Sequence, residues 1–261
     1  NARIVAFDSA NRSLNNFTNK RTFSFLWIII IMSPNNQINE LTRLLKENTH
    51  DKNAVHMAQY MKGHFPFFGI KSTLRRDLQR KWWQGHSIHS ENELQSIIAT
   101  LWVLDKREYQ YVGLDLAKRY KKYFTPASIL FIQKLITTKS WWDTVDTIAS
   151  HMAGAMVFNY PETVTIMDEW IDHENMWIRR TAILHQLNFK DRTNPKRLFD
   201  YCKKRMNEPN FFIRKAIGWA LRQYSYVDAS AVIQFVKTYE SELSTLSKSE
   251  ALKVLKRKGK I

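Results

Sequence analysis

The sequence predicts an all-α chain folded as a repeat solenoid of antiparallel helix pairs. Three observations carry this prediction. The 261 residues include only 7 Gly and 6 Pro, against 44% hydrophobic and 13% aromatic residues. Long helices with short connections and a real core fit that balance, and no alternating runs bracketed by Asn-Gly turns argue for strands. From Asn36 onward apolar residues recur at helical spacing. A repeat is also visible: Ile178-Arg179-Arg180-Thr181-Ala182 returns as Ile213-Arg214-Lys215-Ala216, with the isoleucines 35 residues apart. Two helices at about this period form a HEAT-like unit, and stacked units curve around one concave face.

Taken in order, Ile38, Leu41, Leu44 and Leu45 mark a first helix and Asp51 to Lys62 a second, with Val55, Met57, Ala58 and Met61 as its apolar residues. Phe65-Pro66-Phe67-Phe68-Gly69-Ile70 reads as an aromatic turn. Ser72 is placed to cap the next helix, whose first turns carry Arg75 and Arg76. Free N–H groups at such a start attract anions, so Ser72 and Arg76 are candidate phosphate contacts, with a solvated basic face as the plainer reading. Ser90 caps the helix of Leu94, Ile97, Ile98, Leu101 and Trp102, and another helix runs from Lys106 to about Tyr120. Thr125-Pro126 reads as an N-cap with proline at the first helical position. Further helices start near Ser140, Pro161, Asn175, Asn194, Asn210, Val227 and Ser247, and the basic tail Lys253 to Lys260 is expected to fray.

Residues 1–31 differ from the rest. Phe23 to Met32 is apolar apart from Ser24 but too short to span a bilayer, and no small-x-small cleavage site follows it. Met32 reads as the natural start, with 1–31 as upstream sequence and 32–261 as one helical-repeat domain.

Lys and Arg outnumber Asp and Glu by 40 to 24, a net charge of +16. That excess implies a polyanionic partner, nucleic acid before a membrane surface, and a concave basic face suits a duplex. Cys202 is the single cysteine, so an intrachain disulfide and a cysteine-rich zinc site are excluded and a reducing, cytoplasmic compartment fits. The 8 histidines show no metal-ligand spacing. No metal and no cofactor is expected, and the chain is expected to act as a monomer.

Ser140-Trp141-Trp142-Asp143-Thr144-Val145-Asp146 is the most informative stretch. Ser140 is expected at an N-cap with Asp143 completing a capping box. Trp141, Val145, Ile148 and Met152 form a core stripe. Trp142 and Asp146 lie four apart on a neighbouring face, where an aromatic ring beside a carboxylate suits a cationic ligand or transition state. The plainer reading has Trp142 half-buried and Asp146 paired with a surface lysine. In the Trp177 helix, Arg179 falls on a polar row and is expected in solvent. Arg180 sits at the rim of an apolar stripe and needs an anion, either a phosphate or an acid of the neighbouring repeat. Trp219 flanks the stripe of Ile213, Ile217, Ala220 and Tyr224, with Arg222 on the same flank and Gly218 leaving room for a close approach. Aromatic faces, one carboxylate and cationic surroundings fit DNA with a cationic, alkylated base, whose departure leaves a positive sugar.

Tyr60-Met61-Lys62-Gly63-His64-Phe65, Thr138-Lys139-Ser140 with the Trp-Trp-Asp run, Trp177-Ile178-Arg179-Arg180-Thr181-Ala182-Ile183 and Ala216-Ile217-Gly218-Trp219-Ala220-Leu221-Arg222 resemble the DNA alkylation repair glycosylases of the AlkD type. The resemblance runs from about residue 36 to the end. It implies a HEAT-like fold and removal of N3- and N7-alkylated purines from duplex DNA without drawing the base into a pocket. It also implies Asp146 as catalytic carboxylate, Trp142 and Trp219 as aromatics at the lesion, Arg180 as a DNA contact and Tyr60 as a further aromatic near the site. Lys139 and Arg222, within the same motifs, complete the expected DNA-binding set. The competing class is a HEAT-like nucleic-acid-binding protein without chemistry, for which a carboxylate among phosphates has no use.

Overall fold

A computed structural model describes residues 36–261, so the expectation for residues 1–31 lies outside it. Every regular element among the described residues is helical. The chain divides into two compact units, one ending at Tyr123 and the other comprising Phe124–Ile261.

The first unit holds α1 (Asn36–Glu47), α2 (Asp51–Tyr60), α3 (Ser72–Trp82), α4 (Glu91–Val103) and α5 (Arg107–Arg119). Leu41 and Leu45 of α1 are fully buried, as their spacing predicts. Ser90 caps α4 as expected, its Oγ accepting the Glu93 N–H at 3.1 Å. Val55 of α2 departs from expectation: it is 55% exposed, and α2 buries no side chain completely. The aromatic turn is fixed instead from α5. The buried Glu108 carboxylate accepts the backbone N–H groups of Phe68, Gly69 and Ile70 at 3.0, 2.9 and 3.2 Å. The Arg107 guanidinium lies 3.7 Å over the Phe65 ring. Three amide donors are what a carboxylate removed from water requires.

The second unit runs through α6 (Ile129–Thr137), α7 (Trp142–Ile148), α8 (Gly154–Asn159), α9 (Val164–Trp170), α10 (Met176–Leu184), α11 (Pro195–Arg205), α12 (Phe211–Tyr224), α13 (Ala229–Thr238) and α14 (Thr245–Arg257). Helices α7, α10, α12 and α14 pack in succession. Contacts advance together along neighbours: Trp141 meets Trp177, and five residues later Asp146 meets Arg180, so α7 and α10 run parallel. The repeat has a common grammar. Asn175 and Asn210 each accept, at 2.8 Å, the N–H two residues on. Ile178 and Ile213 are fully buried. Arg179 then bonds the His173 and Glu174 carbonyls at 2.7 and 2.6 Å, and Arg214 the Glu208 carbonyl at 3.0 Å. Arg179 is therefore not solvated as expected: Glu208 also holds it, and 15% of its side chain remains exposed. The spacing saw its polar neighbours but not the acid one repeat away.

Other boundaries shift modestly. Asp228, not Val227, caps α13, and Ser244 caps α14 with its Oγ accepting the Ser247 N–H. Helix α14 continues to Arg257, through much of the tail expected to fray. Between α7 and α8 a π-helical turn, Ala149–Ala153, interrupts what the spacing reads as one helix. Gly154 follows it, where a Cβ would lie 2.2 Å from the His185 carbonyl oxygen. Only glycine allows that approach of α8 to the end of α10.

His185 is 1% exposed, and its Nδ1–H donates to the Ala182 carbonyl at 2.6 Å. Burial pushes its pKa down from 6.5 to about 4. Between those values the unfolded chain binds the proton that the native imidazole refuses, so stability falls as pH drops through this window. The expected loss attributable to His185 is about 3 kcal/mol. Denaturant midpoints at pH 7 and pH 4.5 test this: His185→Leu should lose clearly less stability on acidification than the parent chain, and an equal loss refutes the assignment.

Candidate active site

Helix α7 begins at Trp142, not at the expected Ser140 cap. Trp141 occupies the N-cap position in extended backbone, and Ser140 Oγ donates to the Ile136 carbonyl at 2.6 Å, closing the preceding helix. The Ser140–Asp143 capping box is thus not formed, because Lys139 (φ 52) takes the left-handed conformation and turns the chain one residue later. Asp143 instead sits in the first turn of α7, where a carboxylate complements the helix dipole.

Trp142 and Asp146 lie one turn apart on α7, both half-buried. Arg180, from the middle of α10, grips Asp146 with a bidentate fork. Its Nε donates to Oδ1 at 2.7 Å and a terminal nitrogen to Oδ2 at 2.9 Å. Its other terminal nitrogen donates to the Phe212 carbonyl at the start of α12. The side chains are 3% and 14% exposed. One guanidinium therefore ties α7, α10 and α12 together. Of the two readings of Arg180, the structure realises the pairing with a neighbouring repeat. The DNA contact that the resemblance implies for Arg180 would act from this buried, paired position. Burial raises the Asp146 pKa above the usual 3.8; Arg180 pulls it down, and Asp143 adds to the rise.

Beneath this tie lies an aromatic ladder. Trp141 packs on Phe212 and Trp177 at ring separations of 5.1 and 5.8 Å, and Trp177 on Phe212 at 4.9 Å. Trp141 is half-buried, not fully enclosed, while Val145, Ile148 and Met152 complete the expected stripe at full burial.

Trp219 lies half-buried on α12. Gly218 before it is packed against α14: a Cβ there would stand 2.5 Å from Glu250 Cβ and 2.8 Å from the Ser247 carbonyl oxygen. The room predicted at Gly218 is thus filled by the protein's own helix. Arg222, 23% exposed, is likewise turned inward to Glu250, which also takes Lys215 at 2.6 Å. These cations pull the Glu250 pKa down against the opposing effect of burial. In the first unit, Tyr60 ends α2 at 68% exposure. Ser72 is the first residue of α3 and not its cap, a place taken by Lys71 without a side-chain bond. Arg75 is buried against Asp115 at 2.9 Å, so Arg76 alone of that pair faces solvent. The residues sequence reasoning missed are Glu250 and the Phe212 carbonyl. Shifting Asp146 by the 35-residue period lands beside Arg180, a signal that could have fixed its partner.

A carboxylate held in place by a buried cation thus lies one helical turn from an indole in an all-helical repeat array. Among the described residues no cluster of metal-binding side chains occurs, and no helix is long and apolar enough to cross a membrane. The family model of DNA alkylation repair enzymes matches residues 41–255, and the chain belongs to that family. A solved structure described as a predicted DNA alkylation repair enzyme from Enterococcus faecalis is 32% identical, with a TM-score of 0.72 over 78% of this chain and 95% of that one. The smu.31 structure from Streptococcus mutans UA159 is 16% identical, with a TM-score of 0.53 over 69% of this chain and 94% of that one, and shares the fold. No curated protein matches.

Gly218→Ala should separate α12 from α14 and destabilise the protein by about 1–3 kcal/mol, since the clash is with backbone as well as a side chain. Thermal unfolding measures it; an unchanged or higher midpoint would show that α14 gives way freely.

Proposed function

We propose that the protein is a monofunctional DNA glycosylase that hydrolyses the N-glycosidic bond of N3- and N7-alkylated purines in duplex DNA. The observation that carries this reading is the Asp146 carboxylate, fixed by Arg180 one turn from Trp142. Alkylation at a ring nitrogen makes the purine cationic. When the C–N bond breaks, its electron pair goes to the base, which leaves neutral, and the positive charge moves to the sugar. No strong general acid is then needed. Asp146 stabilises that sugar cation, and a water oxygen adds to the vacated carbon as its proton passes to the carboxylate or to solvent. Trp142 and Trp219 offer aromatic faces to the same charge, an attraction of about 0.5–2 kcal/mol each. Tyr60, Ser72, Arg76 and Lys139 are assigned to the DNA itself. With Arg180 and Arg222 engaged inside the protein, these two act on DNA through the residues they position. Following the resemblance, the base is not drawn into a pocket, and bulky adducts are accepted.

The deciding measurement is release of free base from duplex DNA carrying 7-methylguanine. Asp146→Asn, which keeps the shape and one acceptor for Arg180, should slow single-turnover excision by about 100- to 1000-fold. Duplex affinity should stay level or improve, because a charge that repels phosphate is gone. Near-parental excision by the folded variant would leave the competing reading, a DNA-binding repeat protein without chemistry.

Only the ionised carboxylate serves, so excision should fall on the acid side as pH drops through a raised Asp146 pKa. Arg180→Met removes the cation that opposes burial, so the acid limb should move to higher pH and the plateau rate should drop. An acid limb that stays in place in a folded Arg180→Met protein would show that Asp146 is not the titrating group.

A further inference from the structure

A second site lies well away from Asp146, at the other end of the α7–α8 rod. Val157 and Phe158 of α8, Val164 of α9 and Phe189 after α10 form the apolar floor of a cleft of about 480 Å3. Phe158 stands several helical turns beyond Trp142, roughly 20 Å along the axis. Arg192 closes one side of the mouth, its guanidinium 3.5 Å over the Phe158 ring, and Arg197 stands on the same lining. Among the described residues no acid lines this cleft. Asp168, which faces the neighbouring one, is already held by Arg197 at 3.0 Å and by the Tyr201 hydroxyl at 2.6 Å. Arg192 is exposed, and among the described residues no carboxylate pairs with it. The wall also contains His185, whose Nε2 makes no hydrogen bond. In the tautomer set by the Ala182 bond that nitrogen is an acceptor lacking a donor.

Arg197 is already held by Asp168, and duplex DNA would meet Arg192 but leave the apolar floor in water. A ligand that uses both must join an anion to an apolar group, and the volume suits one large side chain with its backbone. The geometry points to a docking site for the C-terminus of an acidic partner peptide, with a terminal aromatic side chain on the Phe158–Phe189 floor and the terminal carboxylate on Arg192. The peptide's other acidic residues meet a chain carrying a net charge of +16. Occupation of this cleft leaves the Trp142–Asp146 face free, so peptide and damaged duplex bind together.

The probe is a fluorescein-labelled hexapeptide of four acidic residues, leucine and a C-terminal phenylalanine, titrated with the full chain by anisotropy. The free-acid form should bind, and amidation of its C-terminus or replacement of its phenylalanine by alanine should each weaken binding by about tenfold. Arg192→Glu, at an exposed position, should weaken it by about tenfold or more with an unchanged melting temperature. Val164→Phe, which fills the floor, should do the same. Saturation with a duplex oligonucleotide should leave peptide affinity within about twofold. Absence of binding, equal binding of the amidated peptide, or displacement of the peptide by duplex would each overturn the proposal. The last result, joined to loss of duplex affinity in Arg192→Glu, would assign the mouth to nucleic acid.

Discussion

The second unit depends on one buried guanidinium. Arg180 holds the Asp146 carboxylate with two bonds and the Phe212 carbonyl with a third, so three repeats meet at one side chain. Such a pair is costly to desolvate, and removing one partner from a buried pair costs about 3–5 kcal/mol. Hydrophobic residues of the same volume could hold three helices as well. What they could not supply is a carboxylate held in one orientation by two hydrogen bonds. The desolvation cost is offset by the surrounding packing: the Trp141–Trp177–Phe212 ladder beneath, and the fully buried Val145, Ile178 and Ile213 below it. The orientation of this carboxylate and the cohesion of the second unit are thus carried by the same atoms.

The same arrangement recurs with different charges. Arg179 with Glu208, Arg197 with Asp168 and Lys215 with Glu250 each join residues 29 to 35 positions apart, close to one repeat length. Asp115 and Asp172 are likewise committed to partners on another helix. Each tie neutralises a cation locally, and the excess of cations is left to residues such as Arg76 and Lys62 that face solvent.

Much of this was legible in the sequence because helical patterning is local. The spacing of Ile38, Leu41 and Leu45, the caps at Ser90, Asn175 and Asn210, and the 35-residue echo all depend on neighbours in the chain. The Trp142–Asp146 adjacency was legible for the same reason. What failed was long-range. Arg179 was read as solvated, and the tie of Arg222 was not foreseen, because their acids, Glu208 and Glu250, lie one repeat away and nothing local announces them. Ser140 was read as a cap because Lys139 gave no sign of its left-handed backbone. Gly218 was read as room for a close approach, which α14 makes; spacing marks where a side chain is missing and not what fills the gap.

The π-helical turn at Ala149–Ala153 works as a phase shifter. A single surplus residue in a helix advances every later side chain by about 100° around the axis. The rod from Trp142 to Asn159 is therefore not one amphipathic surface but two, set at an angle to each other. Its first part turns Asp146 to Arg180, and its second brings Gly154 onto the His185 carbonyl and Phe158 beneath Arg192. Ser150 Oγ, bonded to the Asp146 carbonyl at 2.8 Å, stabilises the dislocation at its upstream edge. A rod with two orientations can serve two neighbours independently.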